Sequence, residues 1–176
     1  MAERNILVDG GSDNIRTLAS GDTPALLTRT IFNRYANATT TTTSIETLWS
    51  NSLAANTFIS NGGTLKFVYA GTTANNADEK EWSLQFNGTV LIGPAYIANL
   101  GDWRIEGHII RASNSELRCC SQFTCFGSQY PLVDYVEITG LDLAATSYTL
   151  ALKASTTDAS GDITAKFAQA TYSPGV

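Results

Sequence analysis

The sequence has little charge, a single histidine, three cysteines and no long apolar run, and each shortage excludes a class of protein. Charged residues make up 15% of the 176 residues, below the usual quarter, and the net charge is −5. No basic patch stands out, which argues against nucleic acid as a partner. No run approaches the ~18 apolar residues of a membrane span, and the N-terminus lacks an apolar signal region. We therefore expect a protein that is synthesised in a cytoplasm and does not bind a membrane.

The residues that carry chemistry in other proteins are isolated or badly spaced here. His108 is the single histidine, which argues against a hydrolytic triad, and it faces away from Ile105 and Ile109 in a strand pattern, so we expect a structural or surface role. Cys119, Cys120 and Cys125 do not form a zinc pattern, because adjacent strand residues point to opposite faces. Small buried hydrophobes are their expected role. The sequence predicts no enzyme, no cofactor and no metal ion.

Two other interpretations stay open. Asp158 and Asp162 flank a glycine turn and could hold Ca²⁺ through carboxylate oxygens, although a plain hairpin turn is favoured. Trp49, Trp82 and Trp103 could form a sugar-stacking platform. At least two of the three are expected in the core or at subunit contacts, because aromatic area is costly to expose.

From Thr41 onward, short strands alternate with polar turns. In several strands one face is apolar: Leu65, Phe67 and Tyr69; Tyr148, Leu150 and Leu152; Ile163, Ala165 and Phe167. Such alternation is typical of antiparallel sheets wetted on one side, and no segment carries a capped helix pattern. The pattern predicts an all-β fold, an antiparallel jelly-roll sandwich of about 8–10 strands. The strand candidates are Thr42–Ser50, Thr64–Thr72, Lys80–Phe86, Thr89–Ile92, Trp103–Ala112, Glu116–Phe126, Leu132–Thr139, Tyr148–Ala154 and Asp162–Tyr172.

Residues 1–40 have a different pattern. Short apolar patches alternate with Gly-Gly, Ser-Gly-Asp and Thr-Pro breaks, and no helical period persists for three turns. Such patches cannot close a core of their own, but they can lie along another surface. We therefore predict two parts, an extended N-terminal arm (residues 1–40) and a jelly-roll β-sandwich domain (residues 41–176) that folds by itself.

A set of turn and small residues between Thr47 and Thr89, and near the end of the chain, forms a specific pattern. It consists of Leu48-Trp49, Ala54-Ala55-Asn56-Thr57, Asn61-Gly62-Gly63, Gly71-Thr72, Lys80, Asn87-Gly88-Thr89 and Gly161-Asp162-Ile163-Thr164. This pattern resembles a domain that recurs in tailed-bacteriophage structural proteins, over roughly residues 12–172. Ala54 stands where proline is common and Gly63 where aspartate is common. Both departures lie in a connection.

The resemblance implies a trimeric jelly roll displayed on a virion. The leading hypothesis is a capsid decoration (cement) protein that binds the outside of the head as a homotrimer and stabilises the shell, with the major capsid protein as partner. A length of 176 residues from Met1 leaves no room for a fibre shaft, which favours decoration. The alternative is the receptor-binding tip of a tail or head fibre that recognises a host surface glycan. A carbohydrate-active enzyme is the least favoured class, because no pair of acids in a cleft is visible.

The arm is the expected attachment to the shell. Its arginines could pair with carboxylates of an acidic capsid surface, and its apolar residues could serve as anchors. The homotrimer is also expected from the aromatic content, which exceeds what one thin sandwich must hold. The predicted capsid-binding residues are Arg4, Ile6, Leu7, Val8, Arg16, Leu26, Leu27, Arg29, Ile31, Phe32 and Arg34.

Overall fold

The protein folds as two antiparallel β-sheets packed face to face. A computed structural model describes residues 28–97, 101–126, 131–157 and 161–175, and the backbone alone at 6–8, 15–17 and 96–97. Every strand pair is antiparallel. The strands are β1 Ile6–Val8, β2 Ile15–Thr17, β3 Arg29–Arg34, β4 Ala38–Thr39, β5 Glu46–Leu53, β6 Thr64–Thr73, β7 Lys80–Phe86, β8 Thr89–Ile97, β9 Asp102–Arg111, β10 Leu117–Cys125, β11 Leu132–Ile138, β12 Tyr148–Thr156 and β13 Ile163–Ser173.

The strand order is that of a jelly roll. The larger sheet has the order β11-β10-β9-β6-β13-β3, with β4 also paired to β13, and the smaller sheet has the order β5-β12-β7-β8. Within the two large sheets, and setting aside β10 and β11, β3 pairs with the last strand, β13, and β5 pairs with β12, β6 with β9, and β7 with β8. A long hairpin wrapped across two sheets produces this pairing. The predicted fold class is confirmed.

A hairpin of β10 and β11 widens the larger sheet beyond β9. It also reaches across to β8 at the edge of the smaller sheet: Ser121 donates to the Leu91 carbonyl at 2.7 Å, and the Gly93 amide donates to the Asp134 carboxylate at 3.3 Å. This hairpin gives the larger sheet a broad outer face, which the candidate site below occupies. Within the described ranges, no helix is long and apolar enough to cross a membrane.

The nine predicted strands are all present, with small shifts at their ends. The β8 strand extends to Ile97, beyond its predicted end at Ile92, and β5 begins at Glu46 and extends to Leu53. Its predicted first residues do not join the sheet, because the Glu46 carboxylate accepts hydrogen bonds from the amides of Thr41 and Thr42 at 2.5 and 3.0 Å. These bonds hold the threonine run in a turn ahead of the strand.

Two of the three predicted inward faces are confirmed, and the third needs a correction. Leu65, Phe67 and Tyr69 are buried, as are Tyr148, Leu150 and Leu152. In β13, a register shift between Ala165 and Phe167 takes Phe167 out of the inward set. The ring of Phe167 instead contacts Tyr35, a mostly exposed residue, at 5.9 Å between centroids. A β-bulge of this kind adds one residue and reverses the alternation after it.

The sheet begins earlier than the sequence predicts. Strands β3 and β4 pair with β13 at the edge of the larger sheet, so the expected boundary at residue 40 lies after two strands of the sandwich. Ile31 and Phe32 are partly buried against the core. Their alternation was hidden because β3 is short and is surrounded by polar residues. Within the N-terminal segment, Ile6–Val8 pairs with Ile15–Thr17.

The core holds all three tryptophans. Trp82 and Trp103 are 0% and 1% exposed, and Trp49 is 9% exposed. The Trp82 ring lies 6.0 Å from that of Trp103 and 5.3 Å from that of Phe123. A tryptophan platform for sugar is therefore excluded, and the aromatic surplus that suggested a trimer is largely accommodated within one chain.

Candidate functional site

The set of turn and small residues that carries the resemblance to phage proteins, here called the phage-type pattern, includes two charged residues, Lys80 and Asp162. They meet in the folded chain. The Lys80 ammonium is fully buried, 3.8 Å from the Asp162 carboxylate. It donates to the Asn76 side-chain oxygen at 2.5 Å and to the Asp78 carbonyl at 2.8 Å, while the Asn76 amide donates to Asp162 at 2.9 Å. These oxygens surround the ammonium as they would a bound cation, and they join the loop before β7 to the start of β13.

The same arrangement engages one of the two carboxylates named in the calcium hypothesis. Asp162 directs its carboxylate at Lys80, so the position that a cation would take beside it is filled by the ammonium. Asp158 lies outside the described residues. Within the described ranges, no group of three or more His, Cys, Asp or Glu side chains is arranged to hold a metal. The observed role of Asp162 is structural.

Other residues of the pattern form a tight turn or lie where two strands pack too closely for a side chain. Asn87 and Gly88 have φ of 47° and 88°, as the two central residues of a type I′ hairpin require. A Cβ on Gly71 would lie 1.9 Å from the Thr164 carbonyl and 2.7 Å from the Trp103 ring, so only glycine fits there. The pattern therefore marks this fold and not a chemical site.

Four of the eleven predicted capsid-binding residues lie in β3, where they contact their own chain. The Arg34 Nε donates to the Asn51 side chain at 2.9 Å, and the Asn51 amide donates to the Tyr69 hydroxyl at 3.1 Å. The Arg29 guanidinium donates to the Thr57 carbonyl at 3.0 Å and lies 5.4 Å from the Tyr172 ring centroid. Burial raises the pKa of Tyr69, which stays a neutral partner in this network.

The contacts of the other predicted capsid-binding residues differ in how far the structure describes them. Ile31 and Phe32, the remaining pair in β3, pack on the core. The structure does not describe the side chains of the remaining seven residues. These are Arg4, Ile6, Leu7, Val8, Arg16, Leu26 and Leu27. No contact of theirs is described, so their attachment role stays a prediction.

The outer face of the larger sheet carries a groove of about 400 Å³, here called the outer groove. It crosses four neighbouring strands, β13, β6, β9 and β10, and ends at β11. Its lining includes Lys66, Glu106, His108, Gln122, Val133 and Gln169. Two cross-strand rows build it: Thr171, Lys66, His108 and Cys120 stand opposite one another, and so do Gln169, Val68, Glu106, Gln122 and Val133.

Lys66 is the cation that lines the outer groove among the residues that the structure describes. Glu106 is held by Arg104 at 2.6 Å, so its charge is largely neutralised. Among the described residues, no carboxylate lies within ion-pair distance of Lys66. On the neighbouring surface, Arg118 is held by Glu116 and Glu137 at 2.8 and 3.7 Å. The outer groove is thus locally cationic on a protein of net charge −5.

His108 and the cysteines occupy different environments. His108 is exposed in the outer groove, on the face opposite Ile105 and Ile109, as the alternation predicted. Cys120 is exposed beside it, whereas Cys119 and Cys125 are buried. The expected burial is therefore confirmed for two of the three cysteines. Burial raises the pKa of Cys119 to about 12 and also raises the pKa of Cys125, which keeps both thiols protonated near neutral pH.

Sequence reasoning missed the outer groove. Lys66, Gln122 and Gln169 belong to three strands and are separated by tens of residues. Each is an ordinary polar residue on the wet face of its own strand. They become neighbours only through the register of β6, β9, β10 and β13, and the sequence does not show this register.

The comparisons with known proteins give weak structural likenesses only. No protein-family model and no curated protein matches the chain. Among solved structures, particles derived from infectious bursal virus are 13% identical with a TM-score of 0.34, over 98% of this chain and 37% of that chain. The VP2 subviral particle of infectious bursal disease virus is 14% identical with a TM-score of 0.33, over 98% and 38%. An alginate lyase from Klebsiella pneumoniae is 12% identical with a TM-score of 0.23, over 62% and 57%.

These likenesses carry no argument about function. All three TM-scores lie below 0.5, and the chain spans only about 37–38% of the two viral chains. The strand order and register of this chain are what define it as a jelly-roll β-sandwich.

Proposed function

We propose that the protein is a virion structural protein, a bacteriophage capsid decoration protein that binds the outside of the head as a homotrimer. The observation that carries this proposal is a jelly-roll strand order in a chain whose phage-type pattern residues fill structural positions. Jelly rolls are used by viral capsid proteins, lectins and other proteins, so the fold permits this role without requiring it. The partner is the major capsid protein, and no reaction is catalysed.

The mechanism is stabilisation by binding. A trimer that contacts several capsid subunits at once binds by avidity, and it favours the assembled shell because it binds that state and not free subunits. The segment before the sheet makes the attachment, through Arg4, Ile6, Leu7, Val8, Arg16, Leu26 and Leu27. Arg29, Ile31, Phe32 and Arg34 support it by anchoring β3 to the sandwich.

The experiment adds purified protein to particles stripped of it and measures bound copies by co-sedimentation. A variant lacking residues 1–27 retains every strand of the two large sheets, and we expect it to lose at least about tenfold in affinity. A full-length Lys166→Gln variant, altered on the outer sheet surface, serves as the control and should bind normally. Undiminished binding of the truncated variant refutes attachment by this segment.

The receptor-binding tip of a fibre is the second candidate. The outer groove favours it, because a locally cationic groove on a jelly roll suits a small polar ligand. Position and copy number in the particle separate the two candidates: hundreds of copies over the head indicate decoration, and a few copies at the tail indicate a tip. Immunogold labelling of intact virions measures both.

A further inference from the structure

The outer groove has the volume and lining of a ligand site. Its volume of about 400 Å³ falls in the range of about 300–1,000 Å³ typical of small-molecule pockets. Its floor is the backbone of paired strands, so its side chains project from rigid elements. We propose that the outer groove binds a saccharide that carries a carboxylate.

The charge of the ligand follows from Lys66. Among the described residues Lys66 has no carboxylate partner, while Arg104, Arg111 and Arg118 each bond to groups of their own chain. An unpaired ammonium beside His108 in a concave site favours an anionic group. The carboxylate of Glu106 is engaged by Arg104, so it repels such a group only weakly.

The saccharide character follows from the other lining residues. Gln122 and Gln169 stand on opposite sides of Val68 and Glu106, and their amides can each donate to and accept from hydroxyl groups. Thr171 adds a hydroxyl next to Lys66. Val68 and Val133 provide apolar surface for the C–H face of a ring. Hydroxyl-binding amides, an apolar surface and one cation together match an acidic sugar.

Two other surface depressions match a ligand less well. The depression beside Tyr135 contains Arg118, whose charge is already balanced by Glu116 and Glu137. The depression beside Phe167 is lined mainly by apolar and small residues and lacks side-chain amides. The described residues that line the outer groove include no tryptophan, tyrosine or arginine, the residues that dominate protein–protein contacts, so a second copy of the chain fits it poorly.

This inference deepens the fibre-tip candidate and does not depend on attachment to a head. Its experiment uses the isolated full-length protein, so failure of particle binding and failure of sugar binding are separate results. Cellobiouronic acid and cellobiose form a matched pair of probes that differ by one carboxylate. Binding is measured by NMR titration, which also locates the shifted amides.

We expect cellobiouronic acid to bind at least about tenfold more tightly than cellobiose, with shifts concentrated in β6, β9 and β10. Lys66→Gln should reduce the affinity for the acid to within about twofold of that for cellobiose. Lys166→Gln removes the same charge from the same sheet outside the outer groove, and it should leave both affinities unchanged. Gln122→Ala and Gln169→Ala should weaken both sugars about two- to tenfold.

Several results would overturn the inference. These are equal affinity for the two sugars, absence of shifts at about 10 mM cellobiouronic acid, or an equal loss of affinity in Lys66→Gln and Lys166→Gln. If no sugar bound and Lys66→Gln changed the oligomeric mass of the protein in solution, the outer groove would instead be identified as a contact between copies.

Discussion

At the scale of single residues, the buried ammonium of Lys80 holds two distant segments together, the loop before β7 and the start of β13. It lies among oxygens from Asn76, Asp78 and Asp162, and the Lys80 side chain is fully shielded from solvent. A buried pair of this kind contributes less to net stability than its geometry suggests, because both charges are desolvated. Removing one partner is different, since the other charge is then left buried without compensation.

We predict that Asp162→Ala lowers the free energy of unfolding by about 3–5 kcal/mol, because the Lys80 ammonium loses its counter-charge. Urea denaturation followed by tryptophan fluorescence measures the change. Lys80→Met combined with Asp162→Leu should be less destabilising than Asp162→Ala, because no buried charge remains. Glu137→Ala, which removes an exposed ion pair, is the control and should change stability by less than about 1 kcal/mol. An equally small effect of Asp162→Ala would contradict the structural role.

The cysteines give a second prediction at this scale. Cys120 is exposed, while burial raises the pKa of Cys119 to about 12. The reactive species is the thiolate, so at pH 8 the buried thiol is both protonated and inaccessible. We predict that iodoacetamide modifies one thiol rapidly in the native protein and three in urea, as counted by mass spectrometry. Cys120→Ala should abolish the rapid modification; persistence of a fast-reacting thiol in that variant would show the assignment to be incorrect.

At the scale of elements, β3 connects the N-terminal segment to the sandwich. It covers one edge of β13, and Arg34 and Arg29 bond to β5 and to the turn that follows it. An uncovered β13 would present free backbone donors and acceptors to other chains. The boundary of the domain is therefore set by strand pairing and not by the change in composition near residue 40.

We predict that a chain beginning at Thr41 is less stable than one beginning at Thr28 by about 2–5 kcal/mol. It loses the partly buried Ile31 and Phe32 and the Arg34–Asn51 hydrogen bond, and it leaves Asn51 and Tyr69 with fewer partners. Thermal unfolding monitored by circular dichroism compares the two chains, and light scattering reports aggregation. Coincident transitions would mean that β3 adds nothing to the fold.

At the scale of the whole molecule, the buried tryptophans no longer support a trimer, whereas exposed apolar side chains do. The three tryptophan rings are buried inside one chain, so they require no second chain to cover them. Large apolar side chains do remain exposed, and some of them share a face: Ile110 and Tyr135 lie on the outer surface of β9 and β11, outside the outer groove, and are 41% and 60% exposed. Exposed apolar area of this kind is a marker of association when it is contiguous.

We predict that the purified protein is a homotrimer in dilute buffer. Light scattering coupled to size-exclusion chromatography should give about three times the chain mass of 18.8 kDa. The proposed avidity for a shell depends on this state, because a single chain contacts too few capsid subunits. A mass near one chain at micromolar concentration would remove the avidity mechanism, and with it the decoration proposal as stated.

Much of the architecture was determined by the sequence alone. Period-two alternation and turn chemistry act over a few residues, so they located nine strands, the Asn87-Gly88 hairpin and the exposed side of His108. Where a local signal was short or was interrupted, the prediction failed. The six residues of β3 show no sustained apolar–polar pattern. In β13 the sequence predicts Phe167 on the inward face, but the bulge before it reverses the alternation.

Only the tertiary structure decided which distant residues act together. Lys80 begins β7 and Asp162 immediately precedes β13, so five strands lie between them in the chain, and Lys66, Gln122 and Gln169 stand on three different strands of one face. The alternation of a strand fixes which side of a sheet each residue takes, but it carries no information about which strand lies next to it or at what register. That choice is made by packing of the two sheets and by wrapping of the long hairpin, which are properties of the whole chain.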